Sequence, residues 1–197
     1  MKYTNYKKLD NLSDMIPSGT PDGWLYIGDD NVRYLLGEPK EKNILVFGVN
    51  PSTATPLKLD PTLRSVKAIC QNNTSECGWI MANIYPLRAT DFDLLPYVSD
   101  NTLSQNNIHI IKTLMSEYKM DKIWAAWGGL IDKRPYLFDE LLKLTSIFDD
   151  TSYNWHSISI LRNGHPGHPL FKKHNSILKD FNIRDYIEKH YSSDGRQ

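Results

Sequence analysis

Four short apolar runs, each closed by small or polar residues, organise this chain. Ile44-Leu45-Val46-Phe47 leads into Gly48-Val49-Asn50-Pro51-Ser52-Thr53, and Trp79-Ile80-Met81-Ala82 ends at Asn83. Ile123-Trp124-Ala125-Ala126-Trp127 stops at Gly128-Gly129, and Ser157-Ile158-Ser159-Ile160-Leu161 precedes Gly164-His165-Pro166-Gly167-His168-Pro169-Leu170. Runs this short, bounded by turn residues, read as buried strands. Between them lie stretches with helical spacing of apolar positions. These predict helices over 62–71, with Asp60 or Thr62 as cap, over 101–118 and over 137–148, and a closing helix over 177–191. Near the start, Trp24-Leu25-Tyr26-Ile27 and Val32-Arg33-Tyr34-Leu35-Leu36 flank Gly28-Asp29-Asp30-Asn31, the pattern of a hairpin.

Strand–helix alternation of this kind predicts an α/β fold, a three-layer sandwich in which a mainly parallel sheet carries helices on both faces. Residues 1–22, polar and broken by Pro17, Gly19 and Pro21, read as an N-terminal arm. Residues 23–191 read as one α/β domain and 192–197 as a flexible tail. If the four runs are parallel strands, their polar ends meet at one sheet edge, the edge where open α/β sheets bind ligands.

Composition narrows the partners. With 40% hydrophobic and 23% charged residues the 197-residue chain has the make-up of a globular domain with a full core. Lys and Arg together number 23, as do Asp and Glu, which argues against a broad electrostatic grip on duplex nucleic acid. The opening residues Met1-Lys2-Tyr3-Thr4-Asn5-Tyr6 are followed by no apolar stretch, and no run reaches the ~18–20 apolar residues of a membrane span. Two cysteines, Cys70 and Cys77, are too few for a disulfide framework or a Cys-rich metal site. The expectation is a cytoplasmic protein with no membrane partner and no cofactor; the oligomeric state is left open.

The strand ends supply the candidate chemistry. Asn50 can hold a water or a carbonyl by hydrogen bonding, and Pro51, Ser52 and Thr53 offer backbone amides and hydroxyls to an anion, although Asn-Pro-Ser is also an ordinary turn. Asn83 places a donor and an acceptor side by side, as a nucleobase edge requires, or it ties down a loop. Arg88 presents a fork suited to phosphate or carboxylate. Asp60 is the nearest acid to Asn50 and a candidate base on water, besides its role as a possible helix cap. His165 and His168 lack helical ligand spacing and a third partner, so contact with phosphate or acid–base work suits them better than a metal. Trp127 is either a core aromatic or a platform for a stacked ring.

Taken together, Arg33, Asn50-Pro51-Ser52-Thr53-Ala54, Asp60-Pro61-Thr62, Asn83, Arg88-Ala89-Thr90, Ala126-Trp127-Gly128 and the 164–170 loop resemble the uncharacterised family known as domain of unknown function 1643, from about Trp24 to Phe171. The order of parts is also similar, more distantly, to the uracil-DNA glycosylase superfamily. That resemblance implies a glycosylase-like fold, with Val46-Phe47-Gly48-Val49-Asn50-Pro51 as the motif that positions the attacking water. It implies Asn83 as reader of the base, Trp127-Gly128 as a later strand end and His165-Pro166-Gly167-His168-Pro169-Leu170 as the substrate-holding loop. Asn50 stands where the most active glycosylases carry an acid, and an Asn is no general base. Water would then need help from Asp60 or His168.

The expected function is binding of a nucleobase or nucleotide, with hydrolysis of an N-glycosidic bond as its enzymatic form. A base in single-stranded DNA, or one flipped out of a duplex, is a possible substrate. A non-catalytic nucleotide sensor, and a nucleic-acid or protein interaction module, are the alternatives.

Overall fold

The structure, a computed structural model, describes residue 4 and residues 6–148 and 153–193, with nothing said of side chains from 191 onward. The chain forms a seven-stranded mixed sheet with helices on both faces. The elements are β1 (Leu25–Gly28), β2 (Arg33–Glu38), β3 (Asn43–Gly48), α1 (Pro61–Asn73), β4 (Gly78–Asn83), α2 (Asn101–Glu117), β5 (Met120–Ala125), α3 (Pro135–Thr145), β6 (Trp155–Ser157), β7 (Lys179–Asp180) and α4 (Ile183–Ser193). The sheet order is β1-β2-β4-β3-β5-β6-β7. Its centre, β4-β3-β5-β6, is parallel. Both flanks are antiparallel: the β1–β2 hairpin joins β4, and β7 returns along β6. Half of the six pairings are therefore antiparallel, which corrects the expectation of a mainly parallel sheet.

Alternation along the central strands divides the core in two. Leu45, Phe47, Ile80, Ala82, Ile123 and Ala125 point to the face covered by α2, α3 and α4. Ile44, Val46, Trp79, Met81, Trp124 and Ala126 point to the other face, where Leu63, Val66, Ile69 and Cys70 of α1 cover them. Both faces are apolar because both are covered, the pattern of strands buried on two sides. The segment before β1 lies along α2: Tyr6, Leu12 and Met15 are buried, Tyr6 N donates to Asn106 Oδ1 at 3.2 Å and Leu12 N to Glu117 Oε1 at 2.9 Å.

Local chemistry sets the helix starts. Asp60 Oδ1 accepts from Leu63 N at 2.9 Å with Pro61 in the first turn, so Asp60 rather than Thr62 caps α1. Asp100 caps α2 through Thr102 N and Leu103 N. Two expected elements differ. The last parallel strand is 155–157, not 157–161, because Trp155 packs against Phe47 and pairs with Ile123 while Ile160 stands 56% exposed. The closing helix begins at Ile183, not 177, because Lys179 and Asp180 pair with β6 and Asn182 Oδ1 accepts from Arg184 N and Asp185 N. Of the expected tail, residues 194–197 lie outside the described residues.

Candidate functional site

The four parallel strands put the segments that follow Gly48, Asn83, Ala125 and Ser157 at one edge of the sheet. At β3 the chain order reverses, since β4 lies on one side of it and β5 on the other. The carboxyl end beside such a reversal is the usual ligand crevice of an open α/β sheet.

The sheet sorts the candidate residues by face. Asn83 follows Trp79 and Met81 in alternation and so points to the α1 face, opposite Gly48 in the β3–β4 register. A Cβ on Gly48 would sit 3.1 Å from Asn83 Oδ1 and 2.6 Å from Met81 Cε, so glycine is what leaves the carboxamide its room. Asn83 is 0% exposed, and neither Oδ1 nor Nδ2 has a hydrogen-bond partner among the described residues. Its backbone is held from the other face, where Asn107 Nδ2 donates to Asn83 O at 3.0 Å and to Ile84 O at 3.2 Å. A buried amide whose two polar atoms both lack partners is costly, and native proteins seldom keep one without a use.

Arg33 joins Asn83 by way of a β-bulge. The β1–β2 register runs Ile27 to Leu35 and then Gly28 to Arg33, leaving Tyr34 as an extra residue. Tyr34 and Leu35 both pack on the α2 face. The bulge thus turns Arg33 toward the α1 face, where its charge meets those of Arg88 and Asp60. Arg33 is 1% exposed, and Nε and Nη1 have no partner among the described residues. Burial, then the Arg88 charge, pushes its pKa down to about 10, while Asp60 and Tyr26 pull it up. It remains a cation at neutral pH.

Arg88 is a clamp more than an open fork. Nε donates to Asp29 O (2.9 Å), Nη1 to Ser52 O (2.5 Å) and Ala54 O (3.2 Å), and Nη2 to Tyr26 Oη (3.1 Å). It fastens the loop after β3 to the β1–β2 hairpin. Asn50 reinforces the closure: Nδ2 donates to Pro51 O (3.1 Å) and Ala89 O (2.9 Å), while Ala89 N donates to Pro51 O (2.9 Å). Ser52 Oγ meets Thr90 Oγ1 at 3.0 Å. Beside these lies a surface cleft of about 320 Å³, lined by Tyr26, Asp29, Ser52, Thr53, Arg88 and Thr90 among others. Larger clefts, about 640 Å³ along α2 and about 460 Å³ between β6 and α4, lie away from these residues.

His168 closes the other end of the set. Its Cβ lies 3.1 Å from where a Cβ on Gly128 (φ +66°) would be, so it rests on the turn after β5. Nδ1 accepts from Leu170 N at 3.2 Å, which places the proton of the neutral ring on Nε2. Burial lowers its pKa, and the nearby Asp60 charge raises it by less. Asp60, though engaged as a cap, thus acts on Arg33 and on His168 together.

Two expected site residues lie elsewhere. Trp127 is fully buried on the α2 face against Trp155, Phe181 and Tyr186. Its Nε1 donates to Tyr186 Oη at 3.1 Å. His165 is buried beside it, with Nδ1 2.9 Å from Tyr186 Oη and Nε2 2.7 Å from Asp132 Oδ2. These residues tie α4 to the 164–170 loop and stand apart from Asn83 and Arg33. The structure joins the 50–54 loop to the 88–90 segment, points Asn83 to the α1 face and sets Asp60 at the start of α1, where its charge reaches Arg33 and His168. It buries Trp127 and His165 with Tyr186 on the other side of the sheet. It adds Arg33, whose signal in the sequence is a charge inside an apolar run, and Asn107, Asp132 and Tyr186, which carried none.

Among the described residues no group of three His, Cys, Asp or Glu side chains could hold a metal, and no helix is long and apolar enough to cross a membrane. No curated protein and no solved structure matches the chain. One family model does: described as "Protein of unknown function (DUF1643)", it matches residues 33–170, well over half of the 197, and the protein belongs to that family.

Proposed function

We propose that this protein binds a nucleobase or nucleotide at the α1 side of the sheet edge, in a glycosylase-like arrangement, and that its enzymatic form is hydrolysis of an N-glycosidic bond. The observation that carries the reading is the Asn83 carboxamide, buried with both polar atoms unpartnered. A base edge that offers one donor beside one acceptor satisfies both. The order of the strand-end loops along one edge supports the glycosylase-like arrangement. Asn50 and Arg88 fasten the loop after β3 to the 88–90 segment and the β1–β2 hairpin, beside the end of β3 that faces Asn83.

In the hydrolytic form, Asn50 Oδ1 accepts from a water while its Nδ2 keeps the loop in place. His168 Nε2–H is a donor toward a departing or anionic group. Asn50 removes no proton from water, so Asp60 is the acid within the set that does. One observation favours the second reading, a non-catalytic nucleotide binder: Asp60 Oδ1 is already engaged by Leu63 N as the cap of α1.

A thermal-shift panel of free bases, nucleotides and short single-stranded DNA, on wild type and Asn83→Ala, tests the binding reading. A ligand at ~100 times its dissociation constant stabilises by about 2.7 kcal/mol. A shift present in wild type and lost in Asn83→Ala is the expected result. Equal shifts in both proteins, or none with any compound, would sink it. Mass spectrometry of the bound compound then separates hydrolase from binder, and Asn50→Ala should bind but release no base.

A further inference from the structure

Base recognition by Asn83 leaves Arg33 without a task. A guanidinium with five donors sits almost wholly inside the protein, with Nε and Nη1 unpartnered and no ion pair to a described residue. Its nearest charges include another arginine, Arg88. Structural arginines in folded cores are fully bonded, and this chain shows the contrast: Arg134 is also buried and donates to Leu95 O, Asp93 O and Lys133 O. A buried guanidinium with Nε and Nη1 unpartnered is destabilised until an acceptor joins it; Asp60, the anion whose charge reaches it, forms no ion pair with it.

Position links Arg33 to the base-reading residue. Leu36 pairs with Met81, and Arg33 N donates to Pro86 O. Arg33 therefore lies opposite a point three residues beyond Asn83 along the chain, at most ~10 Å further. A spacing of up to that length is within the reach of two parts of one ligand. The hydroxyls of Ser52, Thr53 and Thr90 line the cleft that Arg88 shares. No other buried cation of the described chain stands unpartnered toward this edge.

We infer that Arg33 seats a phosphate group of the ligand, so that the protein takes phosphate-bearing nucleotides in preference to free bases or nucleosides. The inference rests on the base-reading role proposed for Asn83. The phosphate belongs either to a mononucleotide or to a nucleic-acid strand, and the chemistry at Arg33 is the same in both.

The test is a binding series on the full chain: one base as free base, nucleoside, 5′-monophosphate and central residue of a short single-stranded oligonucleotide, with inorganic phosphate as a separate arm. In wild type the phosphate-bearing forms should bind roughly tenfold to a hundredfold more tightly than the nucleoside, as a charge-assisted bond implies. In Arg33→Met that margin should vanish while nucleoside affinity stays. Arg33→Lys, which keeps charge without the fork, should recover part of it. Preference for oligonucleotide over monophosphate, or the reverse, identifies the source of the phosphate. Equal binding of nucleoside and nucleotide by wild type overturns the inference while leaving the Asn83 reading intact, and needs no variant. If no base-containing compound binds, the Asn83 reading fails. Inorganic phosphate then decides about Arg33: stabilisation of wild type but not of Arg33→Met upholds the seat, and its absence overturns it.

Discussion

Asn50 Nδ2 lies 2.9 Å from the carbonyl of Ala89, one of several contacts that join the loop after β3 to the loop after β4. The same nitrogen reaches Pro51 O at 3.1 Å, so both amide protons face carbonyl oxygens. The residue that the glycosylase resemblance casts as a holder of water is thus also a fastening of the site. An aspartate there would be isosteric and yet wrong for the fastening, since a carboxylate brings no donors to two acceptors.

Asn50→Asp should therefore destabilise the protein at neutral pH by about 1–3 kcal/mol, the cost of an opposed, partly buried polar contact. The penalty belongs to the ionised form. It should shrink as the pH falls below the ordinary carboxylate value of about 3.9, where the acid becomes a donor again. Urea unfolding of variant and wild type at neutral and acid pH measures it. An Asn50→Asp variant as stable as wild type at neutral pH would show that the Ala89 contact holds nothing together.

Asn83 and Asn107 make an informative pair, because one lacks partners and the other supplies them. Asn83→Ala removes a carboxamide with no bond to a described residue, so it should cost the ligand-free protein less than about 1 kcal/mol. Asn107→Ala loses both bonds that hold the end of β4 and leaves two buried carbonyls unsatisfied, and should cost about 1–3 kcal/mol. Ligand binding should respond in the opposite order, abolished by Asn83→Ala and only weakened by Asn107→Ala. Denaturant titrations with and without ligand supply both rankings, and a large stability loss in Asn83→Ala would mark it as a structural residue.

Arg33→Met offers a trade of function for stability. The wild-type guanidinium is buried without an ion pair among the described residues and is repelled by Arg88. Replacing a buried charge by an apolar side chain of similar length commonly stabilises, by about 1–4 kcal/mol. The ligand-free variant should unfold at higher denaturant than wild type, and anions should no longer raise its midpoint. A fall in stability of several kcal/mol would mean that protein contacts, not a ligand, account for Arg33.

The parts of this molecule legible in its sequence are those decided by neighbours along the chain. Ile44, Val46, Trp79 and Met81 alternate and run into Gly48 or Asn83, so β3, β4 and their polar ends could be placed. Asp60 stands where a helix cap stands, one of the two caps the sequence offered for α1. What escaped depends on contacts distant in sequence. Trp155 belongs to a strand because Phe47 and Ile123 lie beside it, and its own neighbours Asn154 and His156 hide the fact. Leu178 and Phe181 have helical spacing with later residues but are held as strand flanks by β6. Arg33 turns to the α1 face only because Tyr34 is an extra residue against β1, a register detail that no pattern in the single strand discloses. The placing of the segments that follow β3 and β4, with Asn50 and Asn83, at one edge followed from the parallel order of the strands. The removal of Trp127 and His165 to the opposite face required the position of Tyr186.

His168 and Asp60 make the site's titration testable. Burial holds the imidazole below its ordinary value of 6.5, and the Asp60 charge opposes that shift without cancelling it. A histidine whose folded pKa is lowered binds its proton more readily once unfolded. Its contribution to stability is therefore complete above the unfolded value and is lost as the pH falls through it toward the lower folded one. Wild type should lose stability across that window, and His168→Gln, which keeps a donor but does not titrate, should lose less. Asp60→Asn sharpens the test, because Asn caps a helix about as well as Asp and so leaves α1 in place. Without the carboxylate nothing offsets burial, and the His168 midpoint should move further down in an NMR titration of its ring protons. An unmoved midpoint would mean that Asp60 does not face His168, and the acid would then drop out of any role on a water held by Asn50.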